Sequence, residues 1–148
     1  EVNDTLSPFE RDDMTSLEVT RIAANFAYRE ADINPSDVDI AEVHDAFTPL
    51  EVISYEDLGF CGQGKGSELI RKGVTNYDGK LPVNVSGGLK AKGHPISATG
   101  IAQIYELAKQ MRGQAEGRQV DGIRYALAQN IGGAGSTVAV HILKKVGV

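Results

Sequence analysis

Along the first third of the chain, apolar residues return at helical spacing. Leu17, Ile22, Ala23, Phe26 and Ala27 mark one face and predict a first helix over residues 14–31. Asp12 and Asp13 close a polar stretch and can cap that helix, so residues 1–13 read as a lead-in and 14–148 as the domain. Asn34-Pro35-Ser36-Asp37 is a turn. Residues 38–43 then alternate well enough for a strand, with Val38, Ile40 and Ala41 inward. A second helix is expected over 49–58, stopped by Gly59, and a short one over 68–72 within a polar, glycine-rich stretch. Residues 81–85 read as a second strand. The pattern Ile101, Ile104, Tyr105 and Ala108 predicts a helix over 98–112 that ends at Gly113. Two β-rich runs, 123–129 and 137–143, are joined by Asn130-Ile131-Gly132-Gly133-Ala134-Gly135, which reads as a hairpin with a long glycine-rich loop.

Helices alternating with strands predict a layered α/β domain, with a largely parallel sheet and an antiparallel pair at its end. Three loops, beginning at His44, Ser86 and Asn130, follow strands at their C-terminal ends, where ligands collect in open α/β sheets. The second is the most distinctive: Ser86-Gly-Gly-Leu-Lys-Ala-Lys-Gly-His-Pro-Ile-Ser-Ala-Thr-Gly100 sets His94 between glycines and a proline, just ahead of a helix. Glycine lets backbone run close to a ligand, and Pro95 fixes φ beside the imidazole. A histidine at a helix N-terminus feels the positive end of the dipole and is held neutral, as a general base needs. The plainer reading is a tight turn whose histidine satisfies backbone groups.

Charge and cysteine usage narrow the function classes. The chain has 148 residues, 41% of them hydrophobic and 24% charged, with a net charge of −5. That balance suits a globular protein and carries no basic footprint for nucleic acid. No apolar run is long enough to span a membrane. Cys61 is the single cysteine, so an internal disulfide is ruled out, which points to a reducing, cytoplasmic setting. The first residue is Glu1 rather than methionine, which fits a fragment, a processed product or a portion of something longer.

His44-Asp45, His94 and the 130–135 turn can converge in one cleft. Two histidines then supply a base and a polarising donor, and glycine N–H groups an oxyanion site. Taken singly, His44-Asp45 is also a strand-end turn with Asp45 capping the next helix, and the glycine turn is also a plain hairpin. A metal site from His44, Asp45 and His94 lacks the paired spacing of zinc ligands. Gly62-Gln63-Gly64-Lys65-Gly66-Ser67 misses the phosphate-loop spacing, and Gly132–Gly135 leads into a strand rather than a helix, so neither is a nucleotide site. His141, mid-strand with Thr137 and Ala139, reads as structural.

In order and spacing these loops resemble the C-terminal half of thiolases, of the archaeal and sterol-carrier-associated branch. Glu42-Val-His-Asp-Ala-Phe47 is similar to that family's His-Asp-x-Phe block, 87–100 to its Gly-His-Pro block, and 130–135 to its final glycine loop. The resemblance implies a half-domain with a mixed, five-stranded type of sheet flanked by helices. It implies that His94 deprotonates a nucleophilic cysteine and helps hold the thioester oxygen, that His44 completes this oxyanion hole, and that the Gly132 N–H contributes to a second. The substrate would be a coenzyme A thioester, with no covalently bound cofactor and no metal. The partners implied are the N-terminal thiolase half, further copies in a homo-oligomer, and an OB-fold/zinc-ribbon protein. An isolated half would expose a hydrophobic patch where the first half packs.

Two positions depart from the family. Its nucleophilic cysteine lies in the N-terminal half, and Cys61 stands in none of the motifs. Its second, acid/base cysteine falls either at the start of the final loop, here Asn130, or at the third position of the histidine block, here Ala46. The resemblance implies the C-terminal catalytic half of an acetyl-CoA C-acyltransferase doing Claisen chemistry. It leaves two alternatives: a thiolase-like aldolase cleaving β-hydroxyacyl-CoA, and a non-catalytic scaffold of an acyl-CoA complex.

Overall fold

A computed structural model describes residues 1–5 and 7–146. One sheet carries the fold. Its strands β1 (Val2–Asn3), β2 (Ile40–Glu42), β3 (Tyr125–Gly132) and β4 (Thr137–Lys144) lie in the order β1-β4-β3-β2. β3 pairs antiparallel with β4 and parallel with β2, and β1 pairs antiparallel with β4. The helices are α1 (Glu18–Ala31), α2 (Thr48–Asp57), α3 (Gly66–Arg71), α4 (Gly88–Lys92) and α5 (Thr99–Met111). α1 packs on β4 and α2, whereas α5 packs on β2 and β3. Alternate residues of β3 serve the two sides. Leu127 joins Ala24, Tyr28 and Tyr55 in one core, while Ala126 and Ala128 join Leu107 and Met111 in another. Because helices cover both faces, all three residues of β2 are buried, Glu42 included.

The sheet has four strands, not the five-stranded type expected, and its ladders are mixed rather than largely parallel. Residues 81–85 contribute a single parallel bridge, Ala41 to Val83. The Ala41 N–H donates to the Pro82 carbonyl (3.0 Å), and the Asn84 N–H to the Ala41 carbonyl (2.9 Å). Asn84 then turns into the left-handed region at φ 54°, and its side-chain Oδ1 takes the Val43 N–H at 2.8 Å. A side chain fills the place of the next ladder bond, so the strand stops. At the other edge, the polar lead-in adds a short strand of its own, Val2–Asn3. The expected loop at 130–135 is also shorter. The ladder runs on through Asn130↔Ala139 to Gly132↔Thr137, and only Gly133 and Gly135 adopt positive φ.

Both long helices turn a different face inward than their apolar spacing suggests. α1 buries Val19, Thr20, Ala23, Ala24 and Tyr28, and leaves Ile22 and Phe26 exposed. It begins at Glu18 rather than residue 14, because Asp57 from α2 accepts the Leu17 N–H (2.7 Å) and the Ser16 hydroxyl (2.7 Å). Asp13 instead binds Thr15. α5 buries Leu107 and Met111 beside Gln103, Glu106 and Gln110, while Ile101 and Tyr105 stand 72% and 64% exposed. Backbone hydrogen-bond demand decides that orientation. The Gln103 amide donates to the Gln129 carbonyl (2.9 Å). Gln110 donates to the Arg118 carbonyl (2.7 Å) and accepts from the Val120 N–H (2.9 Å). Buried backbone groups left without partners cost more than an exposed isoleucine. The exposed strip Ile96, Ile101 and Tyr105 is an apolar patch of the kind that interaction surfaces carry.

Replacing Asn84 by Ala is expected to lower unfolding free energy by about 1–3 kcal/mol, since the Val43 N–H loses its acceptor. Asn84→Gly, which suits the positive φ, should lose less than Ala but should not reach wild-type stability in chemical denaturation.

Candidate active site

The site is assembled from the ends of β2 and β3 and the residues leading into α5. Glu42, the last residue of β2, is buried, and burial pushes its carboxyl above the usual range. It accepts the Ser86 hydroxyl (2.6 Å) and N–H (3.1 Å), with the Lys92 ammonium at 3.7 Å. Two residues on, the His44 N–H donates to Gln129 Oε1 (3.0 Å). Gln129 is fully buried in β3 and also bonds Ser54 of α2. Next, Asp45 reaches across to α4. Its Oδ1 accepts the Leu89 N–H at 2.7 Å, and the Lys90 N–H approaches Oδ2 at 3.5 Å. Asp45 therefore caps α4, not the α2 helix that follows it in sequence. Gly88 lies against the carboxylate at φ +61°, and a Cβ there would overlap Asp45 Oδ2.

These ties bring the two histidines together. The rings of His44 and His94 stand edge to face, centroids 4.9 Å apart and planes at 88°. His44 is 3% exposed, whereas His94 is open. His94 Nδ1 lies 2.7 Å from Thr99 Oγ1, whose own hydrogen can go to the Pro95 carbonyl (3.3 Å). With that hydrogen on the Pro95 carbonyl the hydroxyl accepts from Nδ1–H and the His94 Nε2 lone pair is free; with it turned to Nδ1 the ring carries its proton on Nε2. His44 Nδ1 lies 3.2 Å from Asn130 Oδ1, an arrangement that frees Nε2. Burial holds His44 below the usual histidine range, against the opposing pull of Asn130, and the neighbouring His94 adds to the lowering.

His94 separates two cavities. The first, about 580 Å³, is lined by both histidines, Ala46, Phe47, Leu50 and the Gly133–Gly135 turn, among others. The second, about 470 Å³, is lined by His94, Thr99, Ile101, Asn130, Gly132 and His141, among others. Of the expected site residues, His44 and His94 thus share one cavity, while His94 and Gly132 share the other. Ala46 faces the first and Asn130 the second. His141 is exposed on the wall of the second. Cys61 lines neither; it packs against the core beside Leu58 and Tyr55, and burial pushes its thiol up to about 11. Spacing did not reveal Thr99, Gln129 or Glu42 as supporting residues. The available signal was a polar residue inside an apolar strand, Glu42 in Ile-Ala-Glu-Val and Gln129 in Ala-Leu-Ala-Gln. Among the described residues no cluster of three metal-ligating side chains occurs, and no helix is long and apolar enough to cross a membrane.

A family model described as thiolase C-terminal domain-like matches residues 1–145. The acetyl-CoA acetyltransferase of Methanothermobacter thermautotrophicus is 46% identical over 141 residues, which is 95% of this chain and 37% of that protein. Sterol carrier protein 2 of Oryctolagus cuniculus is 45% identical, over 90% of this chain and 24% of that protein. A solved Ltp2-ChsH2(DUF35) aldolase aligns with a TM-score of 0.82 at 27% identity, covering 94% of this chain and 35% of that one. The chain spans well under half the length of each of these relatives.

Three measurements check the site. Gly88→Ala is expected to cost more than about 2 kcal/mol, from positive-φ strain together with displacement of Asp45, read by denaturant unfolding. His44 should titrate by NMR below its ordinary value of about 6.5. Because its folded value is depressed, the neutral-His44 contribution to stability is present above about pH 6.5 and is lost as pH falls toward the lowered value. His44→Asn should flatten that part of the melting-temperature profile.

Proposed function

The chain belongs to the thiolase C-terminal domain-like family, and on that premise we propose that it is the C-terminal catalytic half of an acetyl-CoA C-acyltransferase. The observation that carries this reading is the paired imidazoles at the junction of two cavities, with His94 Nδ1 committed to Thr99. His94 Nε2 takes the proton of a cysteine thiol supplied from outside this chain. The thiolate attacks the thioester carbonyl carbon, and the new Nε2–H donates to the oxygen as negative charge develops there. When the carbonyl re-forms, the CoA thiolate leaves with that proton. The Gly132 N–H, on the other cavity, would polarise the acyl-enzyme carbonyl during attack by the second acyl-CoA.

Asn130 decides what His44 contributes. With Oδ1 toward Nδ1, the neutral ring offers a base at Nε2, able to take the α-proton for which Ala46 and Asn130 provide no thiol. With the amide NH₂ turned to Nδ1, Nε2–H becomes the oxyanion donor that the family resemblance implies. The absence of sulfur at both positions, together with the aldolase among the structural neighbours, favours a second reading. In it, a β-hydroxyacyl-CoA is cleaved by a retro-aldol step that needs no acyl-cysteine.

The complete protein is proposed to unite this half with an N-terminal thiolase half, to form a homo-oligomer in the cytoplasm, and to bind an OB-fold/zinc-ribbon partner. The likeness to an aldolase with a DUF35 component supports that last element. The boundary between lead-in and domain at residue 14 belongs to the same proposal.

In the complete protein, His94→Ala is expected to lower thiolysis of acetoacetyl-CoA by about 10²–10⁴-fold; unchanged turnover would refute the assignment. Mass spectrometry after incubation with acetyl-CoA should find an acetylated cysteine. Its absence, with cleavage of a β-hydroxyacyl-CoA, would establish the aldolase instead. Inactivity on every acyl-CoA would point to a scaffold.

A further inference from the structure

The chain carries 20 acidic residues and a net charge of −5, yet among the described residues no carboxylate lines its first cavity. The charged groups there are Arg11 and Lys90, in walls otherwise made mainly of apolar side chains and the two histidines. Arg11 is held in an unusual way. Its side chain is only 9% exposed, and Nε donates to Asp4 Oδ2 at 3.3 Å. Its Nη2 is buried with no hydrogen-bond partner among the described residues. A separate depression that Arg11 also lines collects Asp4, Glu10, Asp12, Asp13 and Glu18, and of these only Asp4 bonds it. Nη2 lies over Gly135, where a Cβ would come within 2.9 Å of it. Gly135, at φ +91°, therefore leaves room for the guanidinium against the turn.

A buried guanidinium N–H without an acceptor is costly, and a planar cation in an apolar wall is suited to a carboxylate or phosphate oxygen. We propose that Arg11, with Lys90, forms an anion subsite in the first cavity that binds an anionic oxygen group of the thioester substrate. That group is either a carboxylate on the acyl chain or a phosphate of the coenzyme. The subsite would fix how the substrate lies relative to His94, so Arg11 is a specificity residue rather than part of the chemical step. This rests on the reading above, that the cavity takes an acyl thioester.

The test is calorimetric binding to the complete protein, which is independent of turnover. Three probes separate the sources of charge: acetoacetyl-CoA has phosphates and no acyl carboxylate, glutaryl-pantetheine has a carboxylate and no phosphate, and acetoacetyl-pantetheine has neither. Arg11→Gln is expected to weaken at least one anionic probe by about 10- to 100-fold, the worth of one charge-assisted hydrogen bond. Acetoacetyl-pantetheine should change by less than about twofold, and Arg11→Lys should recover part of the loss. Loss confined to acetoacetyl-CoA assigns the phosphate, and loss confined to glutaryl-pantetheine assigns the carboxylate. Lys90→Gln, at an exposed position, should show the same selectivity if Arg11→Gln does not fold. Asp4→Asn separates a structural ion pair from an anion site, since it should leave anionic binding intact or tighter. Equal losses for all three probes, or none for the anionic two, overturns the proposal while leaving the acyltransferase reading standing. A wild-type protein that binds none of the three overturns both.

Discussion

The Asp45 carboxylate is the constraint on which the site depends. It lies at the end of the segment from β2 that carries His44, and it accepts the backbone of α4, the short helix that leads to His94. Two loops separated by more than forty residues are thereby held in one register, and the imidazoles they carry meet at 4.9 Å. The tie needs Gly88 in a left-handed conformation against the carboxylate, since a side chain there would push the loops apart. The Glu42–Ser86 bonds make a second tie three residues earlier, so the His94 loop is fastened both to β2 and to the segment that follows it.

Behind this pair stands a layer of buried polar side chains that organise backbone rather than substrate. Gln129 receives the His44 N–H, Gln103 supports the Gln129 carbonyl, and Gln110 holds the segment around Arg118 and Val120. A fully packed apolar interior would have left these backbone groups unsatisfied, at about 1–3 kcal/mol each. The consequence reaches the surface. With its polar stripe turned to the sheet, α5 presents Ile101 and Tyr105 outward, next to Ile96 and the second cavity. The apolar patch and the open side of the site are therefore one surface.

The thiolase family relationship and the missing thiols bear on each other. Ala46 and Asn130 line different cavities, so the two positions at which the resemblance implies a cysteine are separate places around His94. Asn130 does more than leave a position empty, because it sets the protonation pattern of His44 through Nδ1. The amide at 130 thus acts on the neighbouring imidazole directly.

The order of α1, β2, α2, α3, α5, β3 and β4, the loop after β2, the glycine turn after β3, and the pairing of His44 with His94 were legible in the sequence, whereas β1, α4 and the reduction of 81–85 to one bridge were not. Glycine, proline and alternating apolar residues act locally, through φ and through side-chain period. Tertiary structure alone decided the rest. The faces that α1 and α5 bury follow from which backbone groups of neighbouring segments needed partners, not from the helices' own apolar spacing. The stop at Asn84 follows from a side chain replacing a ladder bond on another segment. Asp45 looked like the cap of the helix it precedes and instead caps one more than forty residues away. Hydrogen-bond satisfaction is a property of whichever groups the fold brings together, and a sequence pattern carries only those of its own element.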